Sequence, residues 1–309
     1  MHNLTEEGTL TLVPGIRVGH WTHPAGRTGS TVIMGPEEGM TASGLALGGG
    51  PATREYALLD PARMMQRIDA LLLTGGSAFG LAAADGVMRW LLEHGRGFET
   101  MGGRVPIVPA AAIFDLMVST DGVRPDSEAG YRAAAAAHGG NVAEGRVGAG
   151  AGASAGAYLG FDRITRTGIG SHARRIQTPS GAVTVGALVV ANPMGDIYRA
   201  ATGELLAGHG KDAAELAGLL SNWPDRHNTT LVAVATDAVI SKAEAASLAV
   251  SAHAGLARSI RPSHTPFDGD TAFALSTGLG PAVPLAALAV LTQEVVSRAL
   301  ENSAIAGRY

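Results

Sequence analysis

The side chains able to do chemistry in this chain are hydroxyls, carboxylates, amides and scattered histidines, because it contains no cysteine. That absence removes a disulfide framework, a thiolate metal site and a cysteine nucleophile together. Asn228-Thr229-Thr230 stands directly before a β-branched run. By composition it is a polar turn, and a threonine hydroxyl there is a weak nucleophile that needs a base to take its proton. Asp268-Gly269-Asp270 brings two carboxylates into one segment with Pro266, the make-up of a turn or a weak cation site. Asn192 precedes Pro193 and reads as a turn former, while Tyr131 lies in an alanine-rich stretch and reads as a core aromatic. His20 and His23 would suggest a metal pair, yet no carboxylate or cysteine accompanies them nearby in sequence, so no metal is assigned.

The elements that must position these residues follow from periodicity. Ala70 to Leu73 reads as a short buried strand, Gly75-Gly76-Ser77 as a tight turn, and Phe79, Ala83, Val87 and Leu91 then recur at helical spacing. Ser77 is expected to cap that helix, with its first N–H groups pointing outward. Gly181 to Asn192 reads as a buried strand that stops at Pro193, whose ring biases the preceding residue toward extended geometry. Asn192 therefore sits at a strand end. Leu231 to Ala235 is a second short strand, opened by Thr229 and Thr230. Ser241 to Arg258 carries apolar residues at helical intervals, His264 to Thr271 is a loop, and a last helix runs from Pro284 to Gly307. Strands and helices mix along the whole length without a fixed repeat or a long linker, which argues for the α/β class and one domain over residues 1–309.

Hydrophobic residues make up 46% of the chain and charged ones 16%, enough apolar material for a core and too little charge for disorder. Basic residues are scattered singly and the net charge is −4, so the footprint of a nucleic-acid binder is missing. The most apolar stretch, Pro284 to Leu291, is too short to span a bilayer, and the first residues lack the basic-then-apolar order of a signal peptide. A soluble cytoplasmic protein is the expectation. Gly48-Gly49-Gly50 and the run from Gly148 to Gly156 read as flexible loops.

The segment Asp225-Arg226-His227-Asn228-Thr229-Thr230-Leu231 resembles the processing site of the DmpA-like N-terminal nucleophile hydrolases, peptidase family S58, and most closely the nylon-oligomer hydrolases of the NylC type. Leu12-Val13-Pro14-Gly15-Ile16-Arg17-Val18-Gly19-His20, Gly48 to Glu55 and Leu73 to Leu81 are similar to further signatures of that family in the same order, so the resemblance covers nearly the whole chain. It implies an αββα sandwich and a chain that cuts itself between Asn228 and Thr229, giving residues 1–228 and 229–309. Cleavage would supply the missing base, because a free α-amino group has a reference pKa of about 7.7 to 8. Carried over residue by residue, Thr229 matches the nucleophile and Asn192 the asparagine whose amide stabilises the oxyanion. Tyr131 resembles the tyrosine near the reacting carbonyl, and Asp268 with Asp270 resembles the acidic pair of NylC-type enzymes. Where the family usually has a lysine at the head of a glycine-rich turn, this chain reads Arg166-Thr167-Gly168-Ile169-Gly170. Arginine keeps the charge there but cannot act as a base.

The same resemblance implies no cofactor and a homotetramer of processed protomers. The substrate it implies is a linear amide, either 6-aminohexanoate oligomers or, as the alternative, the N-terminal residues of small peptides. Two other classes stay open. One is a phosphate or nucleotide binder using Leu73-Thr74-Gly75-Gly76-Ser77 at a helix start, which lacks the Gly-Lys-Ser/Thr ending of a P-loop. The other is a structural relative that never matures.

Overall fold

The computed structural model describes residues 6–220 and 227–309. Asp225 and Arg226, the first two residues of the segment that carries the resemblance, lie outside the described residues. In chain order the strands of the two main sheets are Glu6–Gly8 (β1), Arg17–Thr22 (β2), Gly29–Met34 (β3), Met40–Ala46 (β4), Ala52–Arg54 (β5), Arg67–Ile68 (β6), Ala70–Thr74 (β7), Ala110–Ala112 (β8), Ile169–Thr178 (β9), Gly181–Val190 (β10), Leu231–Thr236 (β11) and Thr271–Ser276 (β12). One sheet has the order β1-β9-β10-β11-β12-β4-β6, and the other β2-β3-β7-β8-β5.

Period-two alternation divides the central strands between two apolar layers. Leu231, Ala233 and Ala235 of β11 join Leu188 and Val190 of β10 and Phe273 and Leu275 of β12 in the layer that also holds Val18, Ile33, Leu71 and Leu73 of the other sheet. Val232, Val234, Val185, Val189, Ala272 and Ala274 point the opposite way, toward the helices Lys242–Ala257 and Leu285–Ala306. On the far side, Val32, Leu72 and Ala110 pack under Val87 and Leu91 of the helix Ala83–Glu93 (α1) and Ala133 and Ala134 of the helix Ser127–Ala135 (α2). Three apolar layers separating helix, sheet, sheet and helix make an αββα sandwich, as the resemblance implies. Each fully buried Val or Leu in these layers contributes about 1.5–3 kcal/mol relative to exposure.

Local chemistry explains where the inner helices begin. Ser241 and Glu244 form a reciprocal capping box at the start of Lys242–Ala257 (α3), which carries His253 into the layer beneath the larger sheet. Pro284 is the residue before the first turn of Leu285–Ala306 (α4), which ends ahead of Gly307. Among the described residues no helix is long and apolar enough to cross a membrane.

The turn after β7 departs from the sequence expectation. Ser77 makes no capping bond; it has a φ of 53°, and the chain turns first through a short helix, Ser77–Gly80, that leaves Phe79 exposed before α1 begins. The N–H groups of Gly75, Gly76 and Ser77 go to Gly29 O (2.8 Å), Asp115 Oδ1 (2.7 Å) and Ile113 O (3.0 Å). All three donors are used inside the fold. The anion-binding reading of this turn therefore loses its basis.

Candidate active site

Sheet register brings the three expected segments together. β10 and β11 run antiparallel with Val190 opposite Leu231, so two residues further on Asn192 meets Thr229. β11 and β12 run parallel with Leu231 beside Thr271, so the Asp268–Asp270 segment lies alongside Asn228, Thr229 and Thr230. Hydrogen bonds follow that register. The Thr229 N–H donates to the Asn192 carbonyl oxygen at 2.8 Å, the Gly269 N–H donates to the Asn228 carbonyl oxygen at 2.8 Å, and the Asn228 N–H donates to Phe267 O at 3.3 Å. Asn228 Nδ2 donates to the same Asn192 oxygen at 3.2 Å. The Thr229 hydroxyl donates to the Asn228 carbonyl oxygen at 2.5 Å. Asn228, Thr229, Asn192, Asp268 and Asp270 are all buried.

Both carboxylates act on neighbouring backbone in the intact chain, and neither bonds to the Thr229 hydroxyl. Asp270 Oδ1 accepts the Thr230 N–H at 2.8 Å, and its Oδ2 accepts the His264 N–H at 3.0 Å and faces His264 Nδ1 at 2.9 Å. Asp268 Oδ1 accepts the Met194 N–H at 3.2 Å, while Oδ2 takes the N–H and hydroxyl of Thr265 at 3.1 and 2.6 Å. Each acid thus clamps one side of the Asn228–Thr229 peptide, Asp270 through Thr230 and Asp268 through the strand end that holds Asn192. Burial, and then the negative charge of Asp270, push the Asp268 carboxyl up to about 7.

Gly48 and Gly49, read from the sequence as flexible loop, are tightly packed here, as is Gly269 of the acidic loop. A Cβ on Gly48 would stand 2.2 Å from Asp268 O, one on Gly49 2.3 Å from Pro266 O, and one on Gly269 2.7 Å from Thr229 Oγ1. The Gly50 N–H donates to Asp268 O at 2.9 Å. Gly48-Gly49-Gly50 is therefore the bed on which the acidic loop lies, and absence of side chains at Gly48 and Gly49 is what allows two backbones to meet.

Asn192 points its amide away from the peptide in the intact chain. Its Oδ1 accepts the Ser154 N–H at 3.0 Å, and its Nδ2 donates to Phe114 O at 3.1 Å. Arg166 lies one link further out. Its strand residue pairs with Ser154, and its guanidinium donates to the carbonyls of Ala151 and Ala153. Burial holds its pKa below the ordinary arginine range. Arg166 braces the segment that holds Asn192 and has no bond to Asn192 or Thr229.

Tyr131 corrects the carry-over from the resemblance. It sits on α2 in the outer helical layer, where its hydroxyl donates to Glu93 Oε2 at 2.7 Å and Arg89 lies 4.4 Å over its ring. The aromatic residues beside the site are Phe267, whose carbonyl accepts the Asn228 N–H, and Phe114, whose carbonyl holds Asn192 and whose ring lies 5.7 Å from that of His227. A phenyl ring offers no hydroxyl to a reacting carbonyl. His20 bonds to Thr31 Oγ1 and His23 accepts the Ala25 N–H, and among the described residues no group of three or more His, Asp or Glu could hold a metal.

The profile of peptidase family S58 matches residues 8–307 of this chain. The chain belongs to peptidase family S58. Membership makes it a hydrolase of amide or peptide bonds. Among similar proteins, an uncharacterized aminopeptidase of Mycobacterium tuberculosis is 45% identical over 293 residues, covering 87% of this chain and 81% of that protein. A 6-aminohexanoate-oligomer endohydrolase of Kocuria sp. is 32% identical over 275 residues, covering 85% of this chain and 73% of that protein. A β-aminopeptidase from Burkholderia sp. superposes with a TM-score of 0.73 at 25% identity, over 97% of this chain and 88% of that one. The L-aminopeptidase D-Ala-esterase/amidase of Ochrobactrum anthropi, described as a variant of the Ntn hydrolase fold, superposes with a TM-score of 0.74 at 19% identity, over 97% of this chain and 86% of that one.

Within this S58 chain, sequence reasoning overlooked three contributors to the site: the Gly269 N–H, Phe114 and His264. A backbone donor carries no side-chain signal. Phe114 and His264 reach the site through contacts between residues distant in sequence or through loop geometry, which periodicity does not report.

Proposed function

We propose that this S58 protein is a self-processing threonine hydrolase of linear amides with Thr229 as nucleophile. One contact carries the reading: Thr229 Oγ1 lies 2.5 Å from the Asn228 carbonyl oxygen, which also accepts the Gly269 N–H. A carbonyl oxygen already held by a fixed donor can take up the negative charge that develops when its carbon is attacked. Thr229 Oγ bonds to the Asn228 carbonyl carbon, the C–N bond breaks, and the hydroxyl proton ends on the freed α-amino group, leaving an ester. Water then cleaves that ester, releases the Asn228 carboxylate and restores the hydroxyl. The new amino terminus serves as base for later turnovers, in which Thr229 attacks a substrate amide and water hydrolyses the acyl-enzyme. Asn192 supplies an amide donor to the oxyanion once its bond to Phe114 O is exchanged. Asp268 and Asp270 orient the nucleophile's surroundings, and Arg166 adds positive charge nearby.

For the substrate, the oligomer reading draws on the Kocuria relative, named a 6-aminohexanoate-oligomer endohydrolase. The aminopeptidase reading draws on the more similar mycobacterial relative and on the Burkholderia β-aminopeptidase. Intact-mass measurement of the purified protein tests the processing step: two fragments, 1–228 and 229–309, are expected. A single uncleaved chain without amide hydrolysis after prolonged incubation would overturn the reading. Hydrolysis of linear 6-aminohexanoate oligomers with free and acetylated amines separates the substrates, because an aminopeptidase loses activity when the amine is blocked.

A further inference from the structure

Behind Asp270 lie a buried histidine, His253, and a half-buried one, His264, that the chemistry above does not use. His264 has a φ of 55°, a left-handed conformation that histidine tolerates better than most residues. That conformation directs both its backbone N–H and its Nδ1 at one oxygen, Asp270 Oδ2. Its ring lies 4.8 Å, edge to face, from the ring of His253 on α3. His253 Nε2 lies 2.8 Å from the Leu45 carbonyl oxygen, an acceptor only, so Nε2 carries the hydrogen. The two nitrogens left over, His264 Nε2 and His253 Nδ1, are buried without partners. A carboxylate oxygen accepts, so His264 Nδ1 carries a hydrogen aimed at Asp270 Oδ2.

We propose that His264 is a positioning residue for self-processing: by donating to Asp270 Oδ2 it fixes the carboxylate so that Oδ1 holds the Thr230 N–H, and with it the backbone of Thr229. The proposal rests on the threonine-nucleophile reading. Held at both oxygens, Asp270 cannot rotate away from Thr230, and the Asn228–Thr229 peptide stays seated between Asn192 and Gly269. Asp268 across the loop and His264 and His253 behind it are the titratable groups facing Asp270. His253 acts as a wall, since it donates away from the site to Leu45.

The test compares His264→Asn with His264→Asp. Both side chains tolerate positive φ and match in shape, but only Asn presents an N–H to Asp270. The measured quantity is the rate at which fragments 1–228 and 229–309 appear, followed by mass from pH 5 to 9, with thermal unfolding as the check on folding. His264→Asn should process within a factor of roughly three of wild type, and His264→Asp should be slower by roughly tenfold or more, the loss expected for one hydrogen bond to a charged group. The acidic limb of the pH profile should also move upward in His264→Asp, because the introduced carboxylate faces Asp270 with no side-chain N–H between them. A His264→Gly variant, which accepts the backbone conformation and keeps only the backbone N–H, should also process more slowly than His264→Asn. Equal rates and equal pH profiles for the Asn and Asp variants would overturn the positioning role. A wild type that never cleaves, or a Thr229→Ala chain that still does, would instead overturn the nucleophile reading beneath it.

Discussion

Asn192 and Thr229 stand opposite each other where β10 ends and β11 begins, joined by the 2.8 Å bond from the Thr229 N–H to the Asn192 carbonyl oxygen. The backbone of Asn192 thus holds the proposed nucleophile while its side chain ties Ser154 to Phe114. One residue couples the Asn228–Thr229 peptide with two distant segments, and its substitution should affect stability and chemistry together.

Asn192→Ala leaves the buried Ser154 N–H and the half-buried Phe114 carbonyl without this partner, at a cost of about 1–3 kcal/mol for the buried N–H left unsatisfied. Processing should slow by roughly 10²-fold, the usual effect of removing an oxyanion donor. Chemical denaturation and the rate of fragment appearance check the two effects separately. An unchanged cleavage rate in a folded variant would take Asn192 out of the mechanism.

Thr229→Ala should yield an intact, folded and inactive 309-residue chain, because it removes the hydroxyl proposed to attack both backbone and substrate. Thr229→Ser should still cleave, more slowly, since loss of the methyl frees the side-chain rotamer. Edman sequencing of the small wild-type fragment should begin Thr-Thr-Leu-Val. Cleavage at the same bond in Thr229→Ala would refute the assignment.

Gly269→Ala puts a methyl 2.7 Å from Thr229 Oγ1 and 2.8 Å from Gly50 O. The hydroxyl must move or the loop must lift, and either disturbs the N–H that holds the Asn228 carbonyl. Processing should fall by roughly tenfold or more. If the alanine variant matures at the wild-type rate, close approach of this loop to Thr229 is not required.

Asp268 makes stability depend on pH. Its folded pKa of about 7 lies above the unfolded value of 3.8, so the native state binds the extra proton between them. The stabilisation is complete below about pH 4 and is lost as pH rises toward 7, with a slope of at most about 1.4 kcal/mol per pH unit. Asp268→Asn should flatten that slope in urea titrations performed from pH 4 to 7. An unchanged slope would mean Asp268 is already ionised throughout the window.

Tyr131→Phe should leave processing and turnover within a factor of about two of wild type, since it removes only a surface bond to Glu93. A loss of 10²-fold would return Tyr131 to the mechanism and contradict its position on α2.

The sequence by itself determined the strands and helices around the site and the residues most able to act there. Alternating apolar residues in Gly181–Val190 and Leu231–Thr236, the Ser241 start of α3, and the halt before Pro193 are local signals, set by side-chain period and backbone restriction. The family resemblance pointed to Asn192, Asp268 and Asp270, which the sheet gathers beside Thr229. Tertiary structure alone decided how they meet. Strand register, a relation between segments far apart in the chain, set Asn192 opposite Thr229 and the acidic loop beside it, with Gly48-Gly49-Gly50 as its bed. It also moved Tyr131 to the outer helices, brought Phe114 and His264 in, and gave the Gly75–Ser77 donors internal partners. Spacing along a chain records which residues share a strand or helix face; it does not record which strands pair or which backbones touch, and this site is built from those two choices.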